Sequence, residues 1–147
     1  MEPYELIEDH EKVIGHFGQW PSFHDGEVHR IVLDRMNRSA SGSYTPTAEV
    51  HLRGWVMTAD VNAGGLFKVE NDAVIHFLFE GVFDFELEGF NQQNVLSSLN
   101  LSIISDSLKN EQALHVELEH CYLFSSEFSA RKAKVLKVVP YVEEQDG

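Results

Sequence analysis

Residues 73–88 alternate with a period of two. Ile75, Phe77, Phe79, Phe83, Phe85 and Leu87 fall on one side, and Gly81 stands where a seventh apolar side chain would be. His76, Glu80, Asp84, Glu86 and Glu88 fall on the other. Successive side chains of a strand point to opposite faces, so the pattern specifies a half-buried strand. Gly81 predicts a bulge within one strand, or a bend between two. The side bearing Phe77, Phe79, Phe83 and Phe85 is expected to face the core.

The rest of the chain is read around that strand. Residues 27–35 alternate about His29, Ile31 and Leu33, and residues 47–58 about Ala48, Val50 and Leu52. Asn37 to Pro46 is a Ser- and Gly-rich loop, and Asn62, Gly64 and Gly65 mark a turn. Residues 90–96 predict a short turn or helix. Further strands are predicted over 99–106, 113–123 and 128–139, with Asn110 between two of them. Ahead of all this, Leu6, Ile7, Val13, Ile14 and Phe17 approach helical spacing. Pro3 suits a first turn and Gly18 an end, which predicts a helix over 3–17. One N-terminal helix followed by six or seven strands argues α+β, with the helix packed on a mainly antiparallel sheet. Helices between strands are too few for parallel βαβ units.

The chain has 147 residues, the length of one domain, with a frayed acidic tail expected over 143–147. Hydrophobic residues make up 43% and include ten Phe, which argues against disorder. Cys121 is the single cysteine, so no internal disulfide and no Cys-rich zinc site can form. A reducing, cytoplasmic setting is expected, with no leader peptide and no membrane partner. Cys121 itself, beside Leu118, Tyr122 and Leu123, is expected to be buried and inert. No nucleophile elbow and no P-loop is present.

Net charge is −13. Phosphate backbones are repelled by such a surface, and a basic protein partner suits it better. The Glu80, Asp84, Glu86 and Glu88 row is the candidate contact face, or else a solvated sheet face. Arg131, Lys132, Lys134 and Lys137 form the one basic concentration. They would neutralise that row across the sheet or guard an exposed edge.

The densest cluster is Trp20-Pro21-Ser22-Phe23-His24-Asp25-Gly26-Glu27-Val28-His29. On a strand, Asp25, Glu27 and His29 would share a face and could present two carboxylates and an imidazole to a divalent ion. That reading makes the chain a small metal-dependent hydrolase or a ligand-binding domain. The other reading is a structural turn. Asp25-Gly26 is a turn dipeptide, His24 fixes the loop by a hydrogen bond, and Trp20 and Phe23 wedge it against the sheet. As aromatics, Trp20 and Phe23 are also candidate partner contacts. No second His, Asp or Glu cluster supplies a clear fourth ligand, so no metal or cofactor is expected.

Trp20-Pro21-Ser22-Phe23-His24-Asp25-Gly26-Glu27 resembles the W-P-x-F-H-D-x-E signature of the immunity protein 50 family. Gly89-Phe90-Asn91-Gln92-Gln93-Asn94-Val95 resembles a second segment of that family, of the G-F-N-x-Q-N type. The resemblance covers about Phe17 to Pro140. It implies a non-enzymatic antitoxin of a bacterial polymorphic toxin system. Such a protein would bind and block a cognate toxin, whose identity is not carried over, in an unknown oligomeric state.

Overall fold

The computed structural model describes residues 1–61, 67–106 and 111–142; of 57–61, 67–70 and 106 it describes the backbone alone. The turn expected at Asn62, Gly64 and Gly65, the break at Asn110 and the tail over 143–147 lie outside the described residues.

A 3-10 turn (Pro3–Leu6) leads into a two-residue strand, β1 (Ile7–Glu8), and then a helix, α1 (Glu11–Phe17). Six longer strands follow: β2 (Glu27–Asp34), β3 (Thr47–Val61), β4 (Phe67–Glu88), β5 (Leu96–Asp106), β6 (Glu111–His120) and β7 (Ser125–Pro140). Among the described residues they form one seven-stranded sheet in the order β2-β3-β4-β7-β6-β5. Every pairing is antiparallel except β1 with β7, where Ile7 lies opposite Ala133 and Glu8 opposite Lys134. The α+β, mainly antiparallel reading therefore holds.

The helix is shorter than the 3–17 expected. Ile7 is drawn into the sheet and buried, and Asp9 takes a left-handed φ of 63°, which breaks the first half of the pattern. What remains is two turns, ended by Gly18 in the left-handed region. Val13 and Phe17 bury their side chains in the cluster formed by Ile75, Phe77, Phe79, Val50 and Leu52. Burial of that kind stabilises by about 1.5–3 kcal/mol per large side chain. Residues 90–96 form no helix; they run as a loop into β5.

β4 is one strand, and Gly81 changes its facing. With φ of +65°, Gly81 lies against Arg131, whose Cβ would stand 3.0 Å from an added side chain. Before it, Ile75, Phe77 and Phe79 are in the core; after it, Val82 and then Phe85 pack against the core. Phe83, expected in the core, is instead half-buried on the other face, with the Arg131 guanidinium 4.8 Å from its ring centroid. The pairing of β4 with β7 shifts register twice, between His76 and Phe77 and again between Phe83 and Glu86, where Asp84 has a φ of 54°. The two breaks of alternation, at Gly81 and Asp84, restore the original facing by Glu86.

β7 is an inner strand for much of its length. It pairs with β4 throughout, and on its other side with β6 over Ser126–Ala130 and with β1 at Ala133 and Lys134. Lys132 lies opposite Glu80 and Lys134 opposite Glu8, Lys137 lies past the β6 and β1 pairings, and none of them lies opposite Glu86 or Glu88. Cys121 is exposed in the turn after β6, which ends at His120 rather than at 123.

Candidate functional site

The two conspicuous sequence segments meet. The sheet curls until its outermost strands touch at one corner, where Glu27 of β2 bridges Val95, just ahead of β5. Asp25 donates its backbone N–H to Leu96 O at 3.0 Å, and Leu96 returns its N–H to Gly26 O at 2.8 Å. Val28 donates to Asn94 O at 3.0 Å. The buried Asn94 side chain completes the seam. Its Nδ2 donates to Val28 O at 3.1 Å, and its Oδ1 accepts from Asn91 N–H at 2.8 Å. His24 donates Nδ1–H to Ser97 O at 2.8 Å.

The aromatics of the corner point inward. Phe23 is 1% exposed despite a φ of 60°, a conformation that is costly for a bulky residue. The Cδ1–Cε1 edge of its ring lies against Gly54, where a Cβ would stand 2.5 Å from Cδ1. Gly26 is equally confined, with a Cβ position 2.7 Å from Arg53 O. Trp20 stacks on Tyr4 at 4.8 Å and meets Phe23 and Phe77 edgewise or tilted.

The expected Asp25, Glu27 and His29 face is not assembled. Asp25 sits in the turn ahead of β2 with φ of 61°, and its carboxylate lies 3.6 Å from His24 Nε2. Glu27 pairs separately with His29 at 3.5 Å, and β2 is bulged between Val28 and Arg30. Among the described residues no three His, Cys, Asp or Glu side chains gather as a metal centre would require.

The expected acidic row is likewise split, and a different one replaces it. Glu80 stays beside Lys132, and Asp84 sits on the bulge. Glu86 on β4 lies opposite Glu127 on β7, and Glu127 opposite Glu117 on β6. Asn100 on β5 ends this row, opposite Glu117. The adjacent row holds Glu88, opposite Ser125, and Glu119, opposite Ser98. Five glutamates therefore line one shallow groove of about 410 Å³ on the outer face. Directly opposed side chains have Cβ atoms about 4.5–5.5 Å apart, and like charges there are destabilising.

Neighbouring polar groups hold part of the row in place. Asn100 donates Nδ2–H to Glu117 at 2.8 Å and to Glu119 at 2.7 Å, and Ser98 donates to Glu119 at 2.6 Å. These bonds, from Ser98 first and then Asn100, hold the Glu119 carboxyl below its ordinary value. His115 donates Nε2–H to Glu127 at 2.7 Å and accepts from the Ser129 hydroxyl. An apolar rim adjoins the groove. Leu87, Phe90, Tyr122 and Leu123 are all exposed, and His120, which lines the groove, is bonded to Tyr122 O.

Glu117, Glu119 and Glu127 were not among the residues singled out from the sequence. The spacing of Glu117 and Glu119 about Leu118 shows that the two share a strand face, but only the register of three strands shows that they join Glu86.

Comparison with protein-family models, with curated proteins and with solved structures returns no match.

Proposed function

We propose that this chain is a non-enzymatic, cytoplasmic immunity protein that neutralises a basic toxin by covering its working surface. The observation that carries the reading is the Glu86–Glu127–Glu117 row. Three like charges opposed across three strands oppose folding, and they cease to do so when a cationic surface lies over them. Exposed Phe90, Tyr122 and Leu123 beside the row supply apolar anchors of the kind that dominate interface energies. Toxins that act on nucleic acid are often basic, and an acidic inhibitor imitates the charge of their substrate. The resemblance of residues 20–27 and 89–95 to the immunity protein 50 family agrees with this reading. No catalytic residue, cofactor or metal has a part in it.

The test is co-expression with the protein encoded beside it. The expected result is survival of the cells and a complex whose association slows steeply with salt. The screening length falls from about 10 Å at 0.1 M to about 3 Å at 1 M. Replacing Glu86→Lys with Glu88→Lys should slow association by about tenfold or more at low salt. Cell death despite co-expression would refute the immunity reading. Full association by the double variant would remove the groove from it.

A further inference from the structure

The outer face of the sheet carries a second row, of opposite character. Arg30 on β2 lies opposite His51 on β3, His51 opposite His76 on β4, and His76 opposite Lys137 on β7. The two imidazoles stack, with centroids 3.6 Å apart and planes 11° from parallel. His51 is bonded through Nε2 to Glu49 at 2.7 Å. In a chain with 24 Asp and Glu residues, Arg30, His76 and Lys137 make no ion pair or side-chain hydrogen bond among the described residues.

The charged and titratable groups facing His76 are Arg30 from β2, Glu49 and His51 from β3, and Lys137 from β7. Burial, followed by His51 and Lys137 and last by Arg30, holds its imidazole below the ordinary value, while Glu49 acts the other way. Two imidazoles facing each other across a strand pair can also chelate a transition metal. Here a guanidinium and an ammonium flank them, which opposes a divalent cation and favours an anion.

We propose that this row binds one phosphate group carried by a small molecule, seated over the His51–His76 pair and held from either flank by Arg30 and Lys137. Three interstrand spacings, about 14 Å, separate the flanking residues. Each is long enough to reach midway, and both give charge-assisted hydrogen bonds to phosphate oxygens. A nucleic-acid strand fits poorly. The acidic groove occupies the same face about 30 Å further along β4, and a long polyanion would meet it. The site is separate from the groove and does not rest on the immunity reading.

The experiment follows the histidine ring signals of the full chain by NMR during titration with inorganic phosphate. Sulfate serves as a tetrahedral anion whose charge does not change with pH. The expected result is a saturable shift of the His51 and His76 signals with either anion. Bound sulfate should also raise the titration midpoint of His76. Sulfate affinity should then fall, by up to about tenfold per pH unit, as the pH rises above that midpoint. Replacing Arg30→Gln with Lys137→Gln should weaken binding at least about tenfold. Lys12→Gln with Lys132→Gln, the same charge change elsewhere on the surface, should not. Immobile ring signals, or equal loss in the two double variants, would overturn the proposal. So would tighter binding of Zn²⁺, or of a short single-stranded DNA, at these residues.

Discussion

The corner at residues 20–29 and the groove at Glu86, Glu117 and Glu127 are built on opposite terms. At the corner the seam groups are partnered: Val28 both gives and receives a hydrogen bond from Asn94, and Gly26 and Leu96 close a further link. In the groove, carboxylates confront carboxylates. One region pairs its polar backbone groups, and the other sets like charges against one another. The contrast separates what a cluster of chemically versatile residues looks like from what it does. His24, Asp25, Glu27 and His29 are competent ligands by type, yet what this segment does is close the sheet, through backbone bonds of Asp25, Gly26 and Val28 and the His24 side chain on Ser97 O. The glutamates of the groove are ordinary by type and unusual only in their juxtaposition.

The strongest way to break this comparison is to attack the corner where it has no slack. Gly54→Val would thrust a side chain into the Phe23 ring, where even a Cβ would stand 2.5 Å from Cδ1. Overpacking a filled core costs about 1–3 kcal/mol and sometimes more. Phe23 is already held at a positive φ and has no unstrained retreat. Urea denaturation should show a loss at the upper end of that range or failure to fold. A variant as stable as the parent would mean that the corner is not the seam described.

Asn94→Leu is the next largest test. It removes the bonds to Val28 O and to Asn91 N–H and leaves a buried carbonyl without its side-chain partner. The expected loss is about 1–3 kcal/mol, read from the shift in urea midpoint at unchanged slope. Asp25→Ala should cost much less, because its carboxylate is 53% exposed and the seam uses its backbone N–H. If Asp25→Ala proved the more damaging of the two, the side-chain pair with His24 would matter more than the backbone closure.

The strand plan was legible because apolar alternation is a local property; the bounds of β2 follow it closely, while β4 begins at Phe67, six residues ahead of the expected 73, and β7 at Ser125, three ahead of the expected 128. The turn reading of Asp25-Gly26 was legible for the same reason. Three features were not. Ile7 stands at helical spacing from Ile14, but pairing with Ala133 outweighs that propensity. A break at Gly81 was expected, but not a second one at Asp84, nor that Val82 takes the core place that strict alternation gives Phe83. The groove depends on the register of β4, β7 and β6, which is a relation between distant segments. Of the row proposed from the sequence, only Glu86 and Glu88 belong to it, and nothing local in the chain joins Glu117, Glu119 and Glu127 to them.

The smallest effect expected is also the most discriminating, because stability and function should move in opposite directions. Glu86 has no side-chain hydrogen bond or ion pair among the described residues, and it faces Glu127 directly. Glu127 is tied to His115, and Glu117 and Glu119 to Asn100, so replacing any of these would remove a favourable bond along with the repulsion. Glu86→Gln removes repulsion alone and keeps the side chain's length. Opposed like charges on a sheet face are worth about 0.2–1 kcal/mol. The variant should therefore be more stable by that order at low ionic strength, and the gain should shrink as salt screens the row. The same change should slow association with a basic partner, since one attracting charge is gone. At a corner-type site, where each group is satisfied internally, a substitution that stabilises the fold has no reason to weaken binding. Equal stability with and without Glu86 at low salt would show that the row is relaxed and would take away the argument that it awaits a cationic surface.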